Sequence, residues 1–113
     1  GADLKVDRVW PTDVITIERY LPSSANAYVK WRNIDGKNHY MPGEVCDPIG
    51  NDWFYADEDQ PRPDAELLGM YLTAISRGAN LLLDVGPDRH GLIADRFRLA
   101  LQRLRKNLDG LRV

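Results

Sequence analysis

The stretch from Ala79 to Ile93 constrains this chain more than any other. Leu81, Leu82 and Leu83 run on to Val85 as a short apolar segment, preceded by Asn80 and stopped by Gly86, Pro87 and Asp88. Apolar residues at nearly every position over so short a run fit a strand buried on both faces, as in a parallel sheet. Gly86 and Pro87 cannot continue a strand interior, so a turn is expected there. Helical patterns flank the run on both sides, which is the α-β-α order of an α/β fold. Asp84 falls near the C-terminal end of the strand, where α/β barrels place their working side chains.

Both flanking helices are written in the spacing of their apolar residues. Asp64 is expected to cap the first, with Leu68, Tyr71, Leu72 and Ile75 at i, i+3, i+4 and i+7 and Gly78 closing it in left-handed backbone. Asp95 is expected to cap the second, with Phe97, Ala100, Leu101, Leu104 and Leu108 on one face and Gly110 past its end. The opposite face of that helix carries Arg96, Arg98, Arg103, Arg105 and Lys106. No aromatic residues interleave these charges, and the chain as a whole has a formal charge of −2. A solvated helix face is therefore expected, and no nucleic-acid partner.

The N-terminal half is less regular. Residues 1–11 are polar and mixed, with Arg8 and Trp10 as their distinctive side chains. Val14 to Ile17 is β-branched throughout and predicts a strand ending at Glu18, after which Leu21, Pro22, Ser23 and Ser24 break regular structure. Asp35-Gly36 is a strong hairpin signal, expected to pair an extended segment from Tyr28 to Ile34 with another around His39 to Val45. The proline-rich, acidic stretch from Asp47 to Asp64 reads as a long loop, and loops of that length tend to be functional or disordered.

A chain of 113 residues with 43% hydrophobic content is one domain, residues 1–113, with a modest core. It falls well short of the roughly 250 residues of a complete (β/α)8 barrel. Cys46 is the single cysteine, which excludes an internal disulfide, and two histidines far apart in sequence make no metal cluster. No segment is apolar and long enough to span a bilayer, and the first residues lack the h-region of a signal peptide. A soluble chain is expected, with no membrane partner and with its compartment left open.

Carboxylates at strand ends, an acidic loop and nearby aromatic residues suit carbohydrate chemistry. Glycoside hydrolysis needs two carboxyl groups across one bond, one to protonate the leaving oxygen and one to attack or to activate water. Aromatic faces stack on the apolar patches of a sugar, and Arg and carboxylates hydrogen-bond its hydroxyls. Trp10, Trp31, Trp53, Phe54 and Tyr55 are available for this, although each could equally serve as core.

The segment from Ala79 to Asp88 with Gly91, Leu92 and Ile93 resembles the Gly-Asn-Leu-Leu-Leu-Asn…Pro…Asp-Gly-x-Ile signature of the α-L-fucosidases of glycoside hydrolase family 29. Pro42 to Asp47, followed by Trp53, Phe54 and Tyr55, is similar to that family's Trp/Pro-x-Glu segment and its aromatic triplet. Asp13 to Glu18 is similar to the segment that carries its acid/base glutamate. These matches come in the right order and together cover most of Arg8 to Leu108.

The resemblance implies a partial (β/α)8 TIM barrel, consisting of the later strands and helices only. It implies retaining hydrolysis of terminal α-L-fucosyl linkages, with a fucosylated glycan or aryl fucoside as substrate and no cofactor or metal. Glu18 takes the place of the general acid/base, and Arg8 that of an arginine reaching both the sugar and the nucleophile. Trp53 takes the place of an aromatic residue against the fucose methyl group, and Glu44 that of a supporting glutamate. Each has a plainer alternative: a solvated strand-end carboxylate for Glu18, a surface arginine for Arg8, core packing for Trp53.

There are departures from the family pattern. Asp84 stands where the signature has Asn, and Arg89 and His90 fill variable positions before Gly91. The family nucleophile, an aspartate in a Trp-x-Asp setting, has no counterpart motif here, and neither do the early histidines that bind fucose. The expectation is thus an enzyme or a piece of one, with the alternative of a non-catalytic barrel fragment acting as a sugar-binding or assembly module. A partial barrel leaves strand edges unpaired, and such edges recruit other chains, so a homo-oligomer is expected.

Overall fold

The β-branched run gives the short strand its sequence predicts, over Ile15–Glu18. The computed structural model describes residues 14–22 and 29–111. Arg8, Trp10 and Tyr28 lie outside them. The elements run β1 (Ile15–Glu18), β2 (Trp31–Ile34), β3 (Lys37–Tyr40), β4 (Gly43–Pro48), α1 (Asp64–Ser76), β5 (Ala79–Asp84) and α2 (Asp95–Asp109). Strands β1, β4 and β5 form a parallel sheet in that order, and β2 and β3 form a separate antiparallel ladder. The fold is mixed α/β, as expected.

The hairpin turns where Asp35-Gly36 predicts. Asp35 (φ 53°) and Gly36 (φ 82°) are both in left-handed backbone, which two-residue hairpin loops of this twist require. The predicted second arm, His39 to Val45, is a different matter. It divides at Met41-Pro42 into the end of β3 and the start of β4, and β4 leaves the hairpin to become the middle strand of the parallel sheet. Proline's fixed φ and missing N–H do not suit a continuous ladder, which gives the break its physical reason. The long loop consequently begins after Pro48, at Ile49, instead of at Asp47.

The register shows which side chains share a face. Ile15, Gly43 and Ala79 lie side by side, as do Ile17, Val45 and Leu81, and these rows face the helices. Ile15, Ile17 and Val45 pack with Met41, Ala74 of α1 and Ala79 in one core cluster. Ile49, Leu67, Met70, Phe97 and Ala100 form a second beneath the two helices, and Leu81 touches both clusters. The sequence-based face of α1 is displaced by one position. Leu67, Met70 and Ala74 are buried, whereas Leu72 and Ile75 are exposed. Neither Asp64 nor Asp95 caps its helix through a side-chain hydrogen bond: Pro63 and Ala94 hold the N-cap positions, and the aspartates sit in the first turns, where the helix dipole favours negative charge.

The leucine-rich strand also differs from its expectation. β5 is an edge strand among the described residues, covered on one face only. Leu81 and Leu83 pack toward the helices, while Leu82 on the other face is 49% exposed. Three successive leucines cannot by themselves distinguish a strand covered on both faces from one that awaits cover on the second.

The long loop from Ile49 to Pro63 is held by its own polar groups. Asp59 is buried, and its carboxylate accepts the N–H of Asn51 (2.8 Å) and of Asp52 (3.3 Å). Arg96 of α2 donates to the carbonyls of Asp59 (2.7 Å), Ala56 (3.0 Å) and Asp57 (3.3 Å). The basic face of α2 is therefore partly structural, and Arg103 adds a link to Asp64 of α1 at 2.9 Å.

Gly86, just past β5, lets this loop approach closely. A Cβ there would lie 2.8 Å from the Tyr55 nitrogen and 3.1 Å from both the Phe54 carbonyl carbon and the Trp53 oxygen. All of these are backbone atoms, which cannot swing aside. We therefore expect Gly86→Ala to displace residues 53–55 and to cost about 1–3 kcal/mol, the scale of overpacking. Thermal denaturation, together with the tryptophan fluorescence of the folded variant, checks this.

Candidate active site

The sheet face turned away from the helices is polar. Thr16, Glu44 and Asn80 lie in one row across it, and Glu18, Cys46 and Leu82 in the next. Pro48 and Asp84 follow at the C-terminal ends of β4 and β5. Above these ends a cavity of about 400 Å³ is lined by Thr16, Glu18, Cys46, Trp53, Phe54 and Asp84. Strand ends supply its carboxylates, and the loop held by Asp59 and Gly86 supplies its aromatic wall.

Glu18 is the last residue of β1 and is exposed to this space. The next residue, Arg19, takes φ 63°, a left-handed conformation that costs a residue with a Cβ roughly 1–2 kcal/mol. Its N–H still bonds the Cys46 carbonyl at 2.9 Å, so the chain kinks while the strand remains anchored. The kink sets the Arg19 guanidinium 5.7 Å from the Trp53 ring centroid and 3.9 Å from Asp47. Asp47 is held in turn by Arg62 at 2.9 Å. Trp53 thus stands half-buried with a cation beside its ring, while Phe54 is 86% exposed.

Asp84 lies two strands from Glu18 and one row further along, roughly 10 Å away laterally in a sheet of ordinary spacing. Its Oδ2 is enclosed and has no hydrogen-bond partner among the described residues. Burial alone raises the pKa of this carboxyl group. Folding therefore favours its protonated form. The stability this gives is fully present below the unfolded pKa and is lost as pH rises through the folded one. Cys46, between the two carboxylates in the sheet, has its thiol pKa raised by burial and then by the charges of Asp84, Glu44, Glu18 and Asp47. A thiol so placed is a weak nucleophile.

The residues singled out in the sequence separate here. Glu18 and Trp53 share the cavity wall. Glu44 is half-buried one row nearer the strands' N-terminal ends, where Asn80 donates to it at 3.4 Å, and it does not line the cavity. Arg8 lies outside the described residues. Phe54, one of the aromatic residues available for a sugar, borders the cavity, and Cys46, Thr16 and Arg19 join the site without having been expected as its members. Only the parallel register of β1 and β4 brings Cys46 beside Glu18. Among the described residues no group of three or more His, Cys, Asp and Glu side chains is placed to hold a metal ion.

Comparison with known proteins points one way. The sequence profile described as Alpha-L-fucosidase matches residues 5–109. Over 56 residues, 50% of this chain, the sequence is 32% identical to Alpha-L-fucosidase 1 of Arabidopsis thaliana, a match spanning 11% of that protein. Alpha-L-fucosidase isoenzyme 1 from Paenibacillus thiaminolyticus is similar in structure, with a TM-score of 0.66 and 25% identity over 86% of this chain and 22% of that one. A Ruminococcus gnavus family 29 fucosidase solved in complex with fucose gives a TM-score of 0.61 at 25% identity, over 67% of this chain and 15% of that one. The chain therefore spans a small part of the length of the relatives it matches.

The raised pKa of Asp84 can be checked without any activity. Asp84→Asn keeps the shape but removes a charge that burial disfavours, so at neutral pH it should raise the melting temperature of the fold. The gain should vanish in acid, where Asp84 itself is protonated. Removing the charge should also ease formation of the Cys46 thiolate, so iodoacetamide should alkylate Cys46 several-fold faster. Melting curves at neutral and acid pH and an alkylation time course check both effects.

Proposed function

The chain belongs to the α-L-fucosidase family, and from that membership we propose that it serves the retaining hydrolysis of terminal α-L-fucosyl linkages with Glu18 as general acid/base. The supporting observation is that Glu18 and Trp53 border one cavity at the C-terminal ends of parallel strands. In this reading the sheet and its two helices are the later strands and helices of a (β/α)8 barrel, whose working residues gather at that end. The substrate is a fucosylated glycan or an aryl fucoside.

Each side chain then has a task. Glu18 protonates the leaving oxygen while a carboxylate nucleophile attacks the sugar carbon. The deprotonated Glu18 then takes a proton from the water that releases fucose. Trp53 provides the apolar wall for the sugar methyl group, with Arg19 fixing its ring. Glu44 supports the site from below through Asn80, and Arg8 is assigned to the sugar hydroxyls. The nucleophile is not among these residues. Another copy of the chain, another part of a longer protein or Asp84 would supply it. The alternative reading, a sugar-binding or assembly module, uses the same cavity without turnover, and hydrolysis of an aryl α-L-fucoside separates the two.

Glu18→Gln keeps size and hydrogen bonding but cannot carry a proton, so it should lower the rate on natural linkages by about 10²–10⁴. Aryl substrates with good leaving groups need little protonation and should suffer less, and azide should restore turnover by attacking the fucosyl intermediate without a general base. Full activity of Glu18→Gln on natural linkages would remove the assignment.

We further propose that the chain is a homo-oligomer. Within the parallel sheet, β1 and β5 are edge strands among the described residues, and Leu82 opens an apolar patch on the polar face. Pairing through such edges brings copies sheet to sheet, which would place carboxylates of two chains near one another. Sedimentation at micromolar concentration should give a mass above 12.9 kDa, with activity per chain falling on dilution. A monomer with full activity would count against it.

A further inference from the structure

Two large aromatic side chains serve neither the core nor the Glu18 cavity. In the antiparallel ladder Trp31 pairs with Tyr40 and Asn33 with Asn38, so strand alternation puts these four on one face. On the other face Arg32, Ile34 and His39 are half-buried, and Ile34 packs on the first core cluster. Trp31 is left 60% exposed and Tyr40 54%, with ring centroids 5.2 Å apart and the rings tilted by 47°. In the neighbouring pair Asn33 donates to Asn38 at 3.3 Å. A cross-strand aromatic pair steadies a hairpin. Rings of this size are ordinarily well buried, however, and here most of each remains open to a ligand.

Trp31 also borders an open groove of about 560 Å³, lined besides by Val29, Lys30, Ser76, Arg77 and Gly78. Gly78 immediately precedes β5, and Tyr40 stands just ahead of β4. The groove and the face therefore lie toward the N-terminal ends of the parallel strands, the end opposite Glu18. The Lys30 stem crosses Gly78, where a Cβ would lie 3.2 Å from its Cδ and 3.6 Å from its Nζ. This sets the ammonium at the C-terminus of α1, whose dipole favours a cation. Arg77 donates to the Pro22 carbonyl, and one such bond does not exhaust the five N–H donors of a guanidinium.

The lining selects a class of ligand. Two of the groove's described residues are cationic and none is acidic. From Val29 to Pro42, Lys30, Arg32 and Lys37 stand against Asp35 alone, in a chain whose formal charge is −2. The groove thus complements a negative charge, and the planar fork of Arg77 matches a carboxylate. The adjoining rings and amides suit a sugar, whose C–H faces pack on aromatic rings and whose hydroxyls pair with groups that both donate and accept. A nucleic-acid strand fits less well. It asks for cations along successive phosphates, and Arg32 and Lys37 belong to the other face of the ladder.

We propose that the groove and the Trp31–Tyr40 face together bind a carboxylate-bearing saccharide, with its carboxylate in the groove beside Lys30 and Arg77 and a sugar ring on Trp31. This site is separate from the Glu18 cavity and owes nothing to the hydrolytic reading. It would hold an acidic glycan at one end of the sheet whatever happens at the other.

Amide shifts of the ¹⁵N-labelled 113-residue chain, titrated with a hyaluronan tetrasaccharide, test it. Residues 30–33, 38–40 and 76–78 should respond, and binding should weaken as salt is added. Lys30→Gln keeps the stem over Gly78 and removes the charge, so it should weaken binding about tenfold, the scale of one charge-assisted hydrogen bond. Trp31→Ala should also weaken it, with the amide of buried Val45 unmoved as a check on the fold. The uncharged chitin tetrasaccharide and plain acetate should each bind more weakly. No response to the hyaluronan tetrasaccharide, unchanged affinity in Lys30→Gln, or an equal response to the chitin tetrasaccharide or to acetate would overturn the proposal. Tighter binding of a uridine tetranucleotide would overturn it in favour of nucleic acid. Movement of the same amides with protein concentration alone would overturn it in favour of a second copy.

Discussion

The structure depends on β4 being paired along both edges. Ile17, Val45 and Leu81 meet the helices in one row only because β1 and β5 lie parallel to β4 in matching register. A slip of one residue in β4 would turn Val45 to the polar face and Glu44 or Cys46 into the core. Burying a carboxylate there without a partner costs far more than any single apolar contact returns. The alternation of β4 therefore fixes the core and the site together: the same register that hides Val45 sets Cys46 between Glu18 and Leu82.

That strand is also the element least legible in the sequence. Gly43, Glu44, Asp47 and Pro48 are poor strand formers, and Val45 with Cys46 is too short a signal to outweigh them. Tertiary pairing overrides local preference here. β1 and the hairpin turn were readable because β-branched residues and Asp35-Gly36 act locally. The helices were readable as helices, yet the face of α1 was not. Leu67, Leu68, Tyr71, Leu72 and Ile75 offer overlapping apolar stripes, and only the positions of β5 and α2 decide for Leu67, Met70 and Ala74.

The site was legible to the extent that it follows the chain locally. Glu18 ends a recognisable strand, and Trp53 opens a recognisable triplet. What brings them together is carried by residues whose part depends on distant partners. Asp59 folds the acidic loop on itself, Arg96 reaches it from the last helix, and Gly86 allows the triplet to lie against the end of β5. In sequence, Arg96 is one of several arginines on a basic face. Nothing local distinguishes the one that binds three carbonyls from Arg98, which pairs with Asp95 on its own helix.

The open face of the sheet shows how stability and function oppose one another in this fold. The helix-facing rows are wholly apolar along β1 and β5 and broken along β4 only by Asp47, whereas the other face carries Glu18, Glu44, Cys46 and Asp84 around Leu82. No packing requirement calls for charged groups at these positions, and Asp84 incurs a desolvation cost that a neutral side chain would avoid. Arg19 adds backbone strain beside Glu18. Unfavourable features gathered within one cavity, in a sheet otherwise ordinary, are what a ligand-binding site requires, because groups already satisfied by the protein have nothing left to offer a ligand. The helix-facing core supplies the rigidity on which those features depend: Ile17 and Val45 are fully buried immediately next to Glu18 and Cys46. The strand alternation that stabilises one side of the sheet thereby holds the chemistry of the other in place.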